Sequence, residues 1–119
     1  MDIGGGSGGL VATLCAEHPE LRGTLFDLLR ICKIAAEILG ECPGGDRVAI
    51  ESGDILAAPP KDMHDAAVMK SVVQMFSPTD AARAIANAAL QARAQSNPSL
   101  TFSEICRKTG RRNSCYSPI

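Results

Sequence analysis

Apolar positions recur along this chain with two different periods, and the switches between them mark the elements. Residues 1–3 read as the last residues of a strand, and the run Gly4-Gly5-Gly6-Ser7-Gly8-Gly9 follows them. Leu10, Val11, Leu14 and Cys15 then fall at helical spacing. Pro19 ends that helix, because a proline drives the residue before it to extended backbone. Gly23–Asp27 reads as a second strand, closed by an acid. Leu29, Ile31, Ile34, Ala35 and Ile38 predict a helix over 28–39, with Gly40 as its stop. After the turn Pro43-Gly44-Gly45-Asp46, Val48–Ser52 alternates as a third strand, and Gly53-Asp54 opens a loop containing Pro59-Pro60. The apolar run 66–73, interrupted by Lys70, predicts a fourth, central strand. Ser77-Pro78-Thr79-Asp80 is a helix start, with a serine cap, a proline at the first position and an acid at the third. That helix is expected to reach about Ala94, with Ala82, Ile85, Ala89 and Leu90 on one face. Strands alternating with helices imply a parallel sheet with helices packed on it.

Composition narrows the function classes. The chain has 119 residues, 45% of them apolar and 21% charged, which suits one small globular domain. Only 3% are aromatic, so Ala, Leu, Ile, Val and Met must build the core. A net charge of −1 opposes broad attraction to nucleic acid or anionic lipid. No apolar run approaches the ~20 residues that span a bilayer, and no basic leader precedes the glycines. The expectation is a cytoplasmic protein with neither a nucleic-acid nor a membrane partner. The five cysteines form no CxxC pair, and His18 and His64 lie far apart, so no metal site is expected.

The glycine run carries the candidate chemistry. Gly4, Gly6 and Gly9 satisfy GxGxxG, and Asp27 follows at the distance of an acid that binds a ribose diol. Glycine permits a tight turn and close approach of a ligand to the backbone. This logic serves any nucleoside cofactor, so a nicotinamide-dependent oxidoreductase stays open on the loop alone.

The segments Asp2-Ile3-Gly4-Gly5-Gly6-Ser7-Gly8, His18-Pro19-Glu20-Leu21-Arg22-Gly23 and Phe26-Asp27-Leu28 together resemble the first cofactor motif of the caffeate/hydroxyindole-type O-methyltransferases. Gly53-Asp54-Ile55 and Met69-Lys70-Ser71-Val72 are similar to the later segments of that family, in order, and the likeness extends over residues 1–92. The resemblance implies an α/β, Rossmann-like sheet truncated at both ends, and S-adenosylmethionine as cofactor. It implies that Gly4 meets the methionine part, that Asp27 holds the ribose, that Asp54 and Ile55 flank the adenine, and that Lys70 reaches the carboxylate. The implied reaction is methyl transfer to an oxygen of a small, aromatic acceptor in relatives whose full-length chains form homodimers.

Two departures qualify that implication. Plant-type members carry a His-Asp-Trp sequence four residues after the lysine, with the histidine as general base. Here Gln74, Met75 and Phe76 stand there, and glutamine cannot take a proton from a phenol. His64 falls in a loop and is no substitute. The second departure is extent: residues 1–94 read as a partial cofactor-binding domain, and 95–119 as a weakly ordered tail with the basic run 107–112. The loss of resemblance beyond Ala92 suggests a frameshift or a misassigned gene boundary. A non-catalytic cofactor-binding remnant is therefore the alternative from a different class.

Overall fold

The computed structural model describes residues 1–92. Three parallel strands form its sheet: β1 (Asp2–Ile3), β2 (Gly23–Asp27) and β3 (Val48–Ser52) in the order β1-β2-β3. Asp2 pairs with Leu25 and Ile3 with Phe26, while β2 and β3 stay in register from Gly23 opposite Val48 to Asp27 opposite Ser52. The connections are helical, α1 (Gly9–Glu17) and α2 (Leu29–Glu41), and α3 (Pro78–Gln91) follows later.

Strand alternation divides the interior into two cores. Leu25 points into one, with Val11, Ala12 and Cys15 of α1 and Ala35 and Leu39 of α2. Ile3 and Phe26 point into the other, with Ile55 and with Ala84 and Ala88 of α3. The outcome is a helix–sheet–helix sandwich of the Rossmann-like kind, as the alternation of periods predicts.

Three expectations need correction. The fourth strand does not extend over 66–73. Val68 lies beside β1, giving Ile3 N–H a carbonyl at 2.8 Å and donating to Met1 O at 2.9 Å, but the parallel contact with Asp2 is a single bridge. Ser71 then takes φ 60°, a left-handed conformation that no strand passes through, and a short 3-10 turn occupies Val73–Met75. Gly40 does not stop α2. It lies inside the helix, which ends at Cys42 (φ −88°, ψ 137°) because Pro43 forbids helical backbone there. On α3 the buried positions are Ala84 and Ala88, whereas Ile85 and Leu90 are 51% and 65% exposed, and Ala82 and Ala89 are also exposed. Small side chains let the helix approach Ile3 and Phe26 closely, so size, not hydrophobicity, selected the packed face.

The serine cap forms as read: Ser77 Oγ accepts the Asp80 N–H at 3.1 Å and donates to the Asp80 carboxylate at 2.9 Å. The predicted helix end at Ala94, the tail 95–119 and its basic run lie outside the described residues.

Candidate functional site

The turn between β1 and α1 is left-handed at Gly4 (φ 68°), Gly6 (φ 60°) and Gly8 (φ 80°), a geometry that side-chain-bearing residues avoid. Gly4 N–H donates to Phe26 O at 2.7 Å, which fastens the turn to the end of β2. Asp27, the last residue of β2, completes the fastening. Its Oδ2 accepts Gly6 N–H at 3.0 Å, and its Oδ1 accepts Leu28 N–H at 2.7 Å. Each oxygen keeps a lone pair for a ligand hydroxyl. A Cβ at Gly6 would meet nothing within 4 Å, so the backbone there faces open space beside the carboxylate. Gly4 differs: a Cβ there would lie 2.2 Å from Val72 Cγ2, so that side chain covers it. The room for a ligand is at Gly6.

The other sequence-predicted residues follow the ends of neighbouring strands. Gly53 N–H donates to Asp27 O at 2.9 Å, joining the loop after β3 to β2. Asp54 is exposed, with Oδ1 accepting Leu56 N–H at 2.9 Å in a tight side-chain turn. Ile55 is 6% exposed, its side chain in the core with Ile3 and Phe26. Lys70 is exposed in the turn beyond Val68, close enough to Asp2 to favour that carboxylate's charged form. Gln74 is exposed on the 3-10 turn. Gly4, Asp27 and Asp54 thus share the carboxyl edge of the sheet, the end at which ligands bind in open α/β sheets.

Asp2 is the residue that the sequence reading passed over. It is 4% exposed, and its Oδ2 has no hydrogen-bond partner. That oxygen sits beneath the glycine turn, 2.5 Å from where a Cβ of Gly5 would be. Burial is the main cause that pushes its carboxyl up from 3.8 to about 6; Asp27 adds to the rise, and the Met1 ammonium and Lys70 oppose it. An acid in a buried strand next to glycines was the available signal. Cys32 is also buried, and its Sγ donates to Asp27 O at 3.3 Å; burial raises its thiol.

His64 is not a simple surface loop residue. It forms a parallel bridge with Ala92, its Nε2 is buried without a partner, and burial lowers its ring. It lines a groove of about 480 Å³ with Arg22, Gly23, Asp46, Arg47 and Val48. Gly23 and Val48 begin β2 and β3, so this groove opens at the opposite end of the sheet from Asp27. Its concavity is unrelated to the cofactor edge. Among the described residues no group of three or more His, Cys, Asp or Glu is placed to hold a metal, and no helix is long and apolar enough to cross a membrane.

Comparison with known proteins bears on the family and the fold. The 3-hydroxy-5-methyl-1-naphthoate 3-O-methyltransferase of Streptomyces sahachiroi is 34% identical over 61% of this chain and 21% of its own length. Aclacinomycin 10-hydroxylase RdmB of Streptomyces purpurascens is 32% identical over 68% of the chain and 21% of its own length. The O-methyltransferase NcsB1 from neocarzinostatin biosynthesis, solved with S-adenosylmethionine and 2-hydroxy-5-methyl naphthoic acid, superposes with a TM-score of 0.71 at 26% identity. That superposition covers 78% of this chain and 28% of NcsB1. The chain therefore spans about a fifth of the length of these curated relatives, and its fold is that of the class I methyltransferases. Residues 1–97 match the O-methyltransferase domain, and the chain belongs to that family.

Proposed function

We propose that this chain is the cofactor-binding part of an enzyme that transfers a methyl group from S-adenosylmethionine to an oxygen of a small aromatic acceptor. The observation that carries this reading is the Asp27 carboxylate, held by Gly6 and Leu28 N–H groups beside the open backbone of Gly6. A carboxylate so oriented accepts both hydroxyls of a ribose. The residues assigned to the group are Asp27 for the ribose, Asp54 and Ile55 on the adenine side and Lys70 toward the methionine end, with Gly4, under Val72, acting through its hydrogen bond to Phe26 O. Ile55 acts through its packing under the loop, since its side chain is buried. Bound there, the cofactor supplies the electrophilic methyl. This chain's part is to orient it, because the exposed Gln74 offers no proton acceptor.

We assign residues 1–94 to this domain and place its work in the cytoplasm, where the thiols of Cys15 and Cys32 stay reduced. Full-length chains of this type are expected to pair.

A second reading has a specific observation behind it. One relative is a hydroxylase by name, and Gln74 replaces the histidine expected of plant-type members. On that reading the cofactor binds without methyl transfer. Calorimetric titration with S-adenosylhomocysteine, repeated with NADH, tests the cofactor assignment. Binding of the first alone, weakened by Asp27→Asn, is the expected result. A folded chain that ignores S-adenosylhomocysteine would sink it. Incubation of the chain with labelled cofactor and hydroxynaphthoates, read for transfer of the label, then separates the two readings.

A further inference from the structure

We propose that Asn87 is a positioning residue that fixes the loop after β3, so that Asp54 is presented to the cofactor. The proposal rests on the cofactor reading above. Asn87 belongs to α3, on the opposite face of the sheet from α1 and α2, and 32 residues from the carbonyl it holds. Its Nδ2 donates to Ile55 O at 2.7 Å in a partly buried setting. Ala84 and Ala88 flank it on the packed side of the helix, at 0% and 7% exposure. Ile55 packs against the same two alanines, so one short helical face holds both its side chain and its carbonyl.

The consequence runs through one peptide bond to Asp54. Its carbonyl accepts Ala57 N–H at 2.9 Å and Ala58 N–H at 3.1 Å, and its carboxylate accepts Leu56 N–H at 2.9 Å. Gly53 N–H anchors the entry of the loop to Asp27 O at 2.9 Å. Asn87 anchors the exit. Without that amide the carbonyl of Ile55, a residue 6% exposed, loses this partner, and the turn is released to seek water.

The test pairs Asn87→Ala with Asp54→Ala and reads two quantities. Amide hydrogen exchange at Ala57 and Ala58 requires no ligand. It should accelerate about fivefold or more in Asn87→Ala, the scale of one lost buried hydrogen bond. S-adenosylhomocysteine affinity should fall by roughly five- to tenfold in Asn87→Ala, yet change by less than about twofold when Asp54 is already Ala. Losses that simply add would overturn the proposal, as would unchanged exchange in the loop. If the unsubstituted chain binds no S-adenosylhomocysteine, the cofactor reading fails, while the exchange rates still decide whether Asn87 orders the loop. Asn87→Asp keeps the side chain's size but opposes the carbonyl with a carboxylate; it should reproduce the exchange effect should the alanine variant not fold.

Discussion

The carboxylate of Asp27 braces the glycine turn through Gly6 and the start of α2 through Leu28, before any ligand is considered. An Asp27 substitution therefore tests structure and binding together. Asp27→Asn keeps one acceptor oxygen but aims an amide N–H₂ at the other donor. It should lower the unfolding free energy by about 1.5–3 kcal/mol, the value of a hydrogen bond to a charged group, as urea titration would show. Asp2 makes a sharper prediction in pH. Its folded value of about 6 lies above the unfolded 3.8, so the folded form binds the proton more tightly. Its contribution is fully present below 3.8 and is lost as pH rises through 6; the groups facing it are the Met1 ammonium, Lys70 and Asp27. At about 1.36 kcal/mol per pH unit the loss is on the order of 3 kcal/mol. Asp2→Asn should flatten the stability profile between pH 4 and 8 by that order, and an unchanged slope would disprove it. The sequence showed Asp27 by its spacing from the glycines. The burden on Asp2 was hidden, because burial comes from layers that the strand pattern does not display.

α3 shows how an element's face is chosen. Its sequence offers Ile85 and Leu90 as apolar anchors, yet both are exposed, and Ala84 and Ala88 meet the core. Ile85→Glu should change the unfolding free energy by less than about 0.5 kcal/mol, as an exposed substitution does. Ala84→Leu should cost about 1–3 kcal/mol by overpacking against Ile3 and Phe26. Thermal unfolding of the pair would settle which face is buried, and a large loss from Ile85→Glu would reverse the assignment. The start of the same helix was legible because capping is local: Ser77 and Asp80 satisfy each other within one turn. Ser77→Ala should cost about 1 kcal/mol, read from the same melts. The failed fourth strand has the opposite cause. Its apolar run suits a strand, but a strand needs partners along its length, and Val68 alone pairs with β1.

Across the whole molecule, β2 is the shared wall of both cores, so neighbouring residues on it support different layers. Leu25, fully buried, should cost roughly 2–5 kcal/mol as Leu25→Ala, while the Asp54 loop on the other side keeps its exchange protection until global unfolding. By itself the sequence determined what depends on near neighbours along the chain: the periods of helix and strand, the serine cap, the glycine turn and the acid that ends β2. It thereby determined the Rossmann-like class and the family. Only the tertiary structure decided which face of α3 is packed, where the fourth strand stops, that Gly6 rather than Gly4 faces open space, that Asp2 is buried without a partner, and that Asn87 reaches the loop of Asp54. These outcomes depend on distances between residues far apart in the chain. Close packing across a sheet sets such distances, and local patterns of hydrophobicity do not encode them.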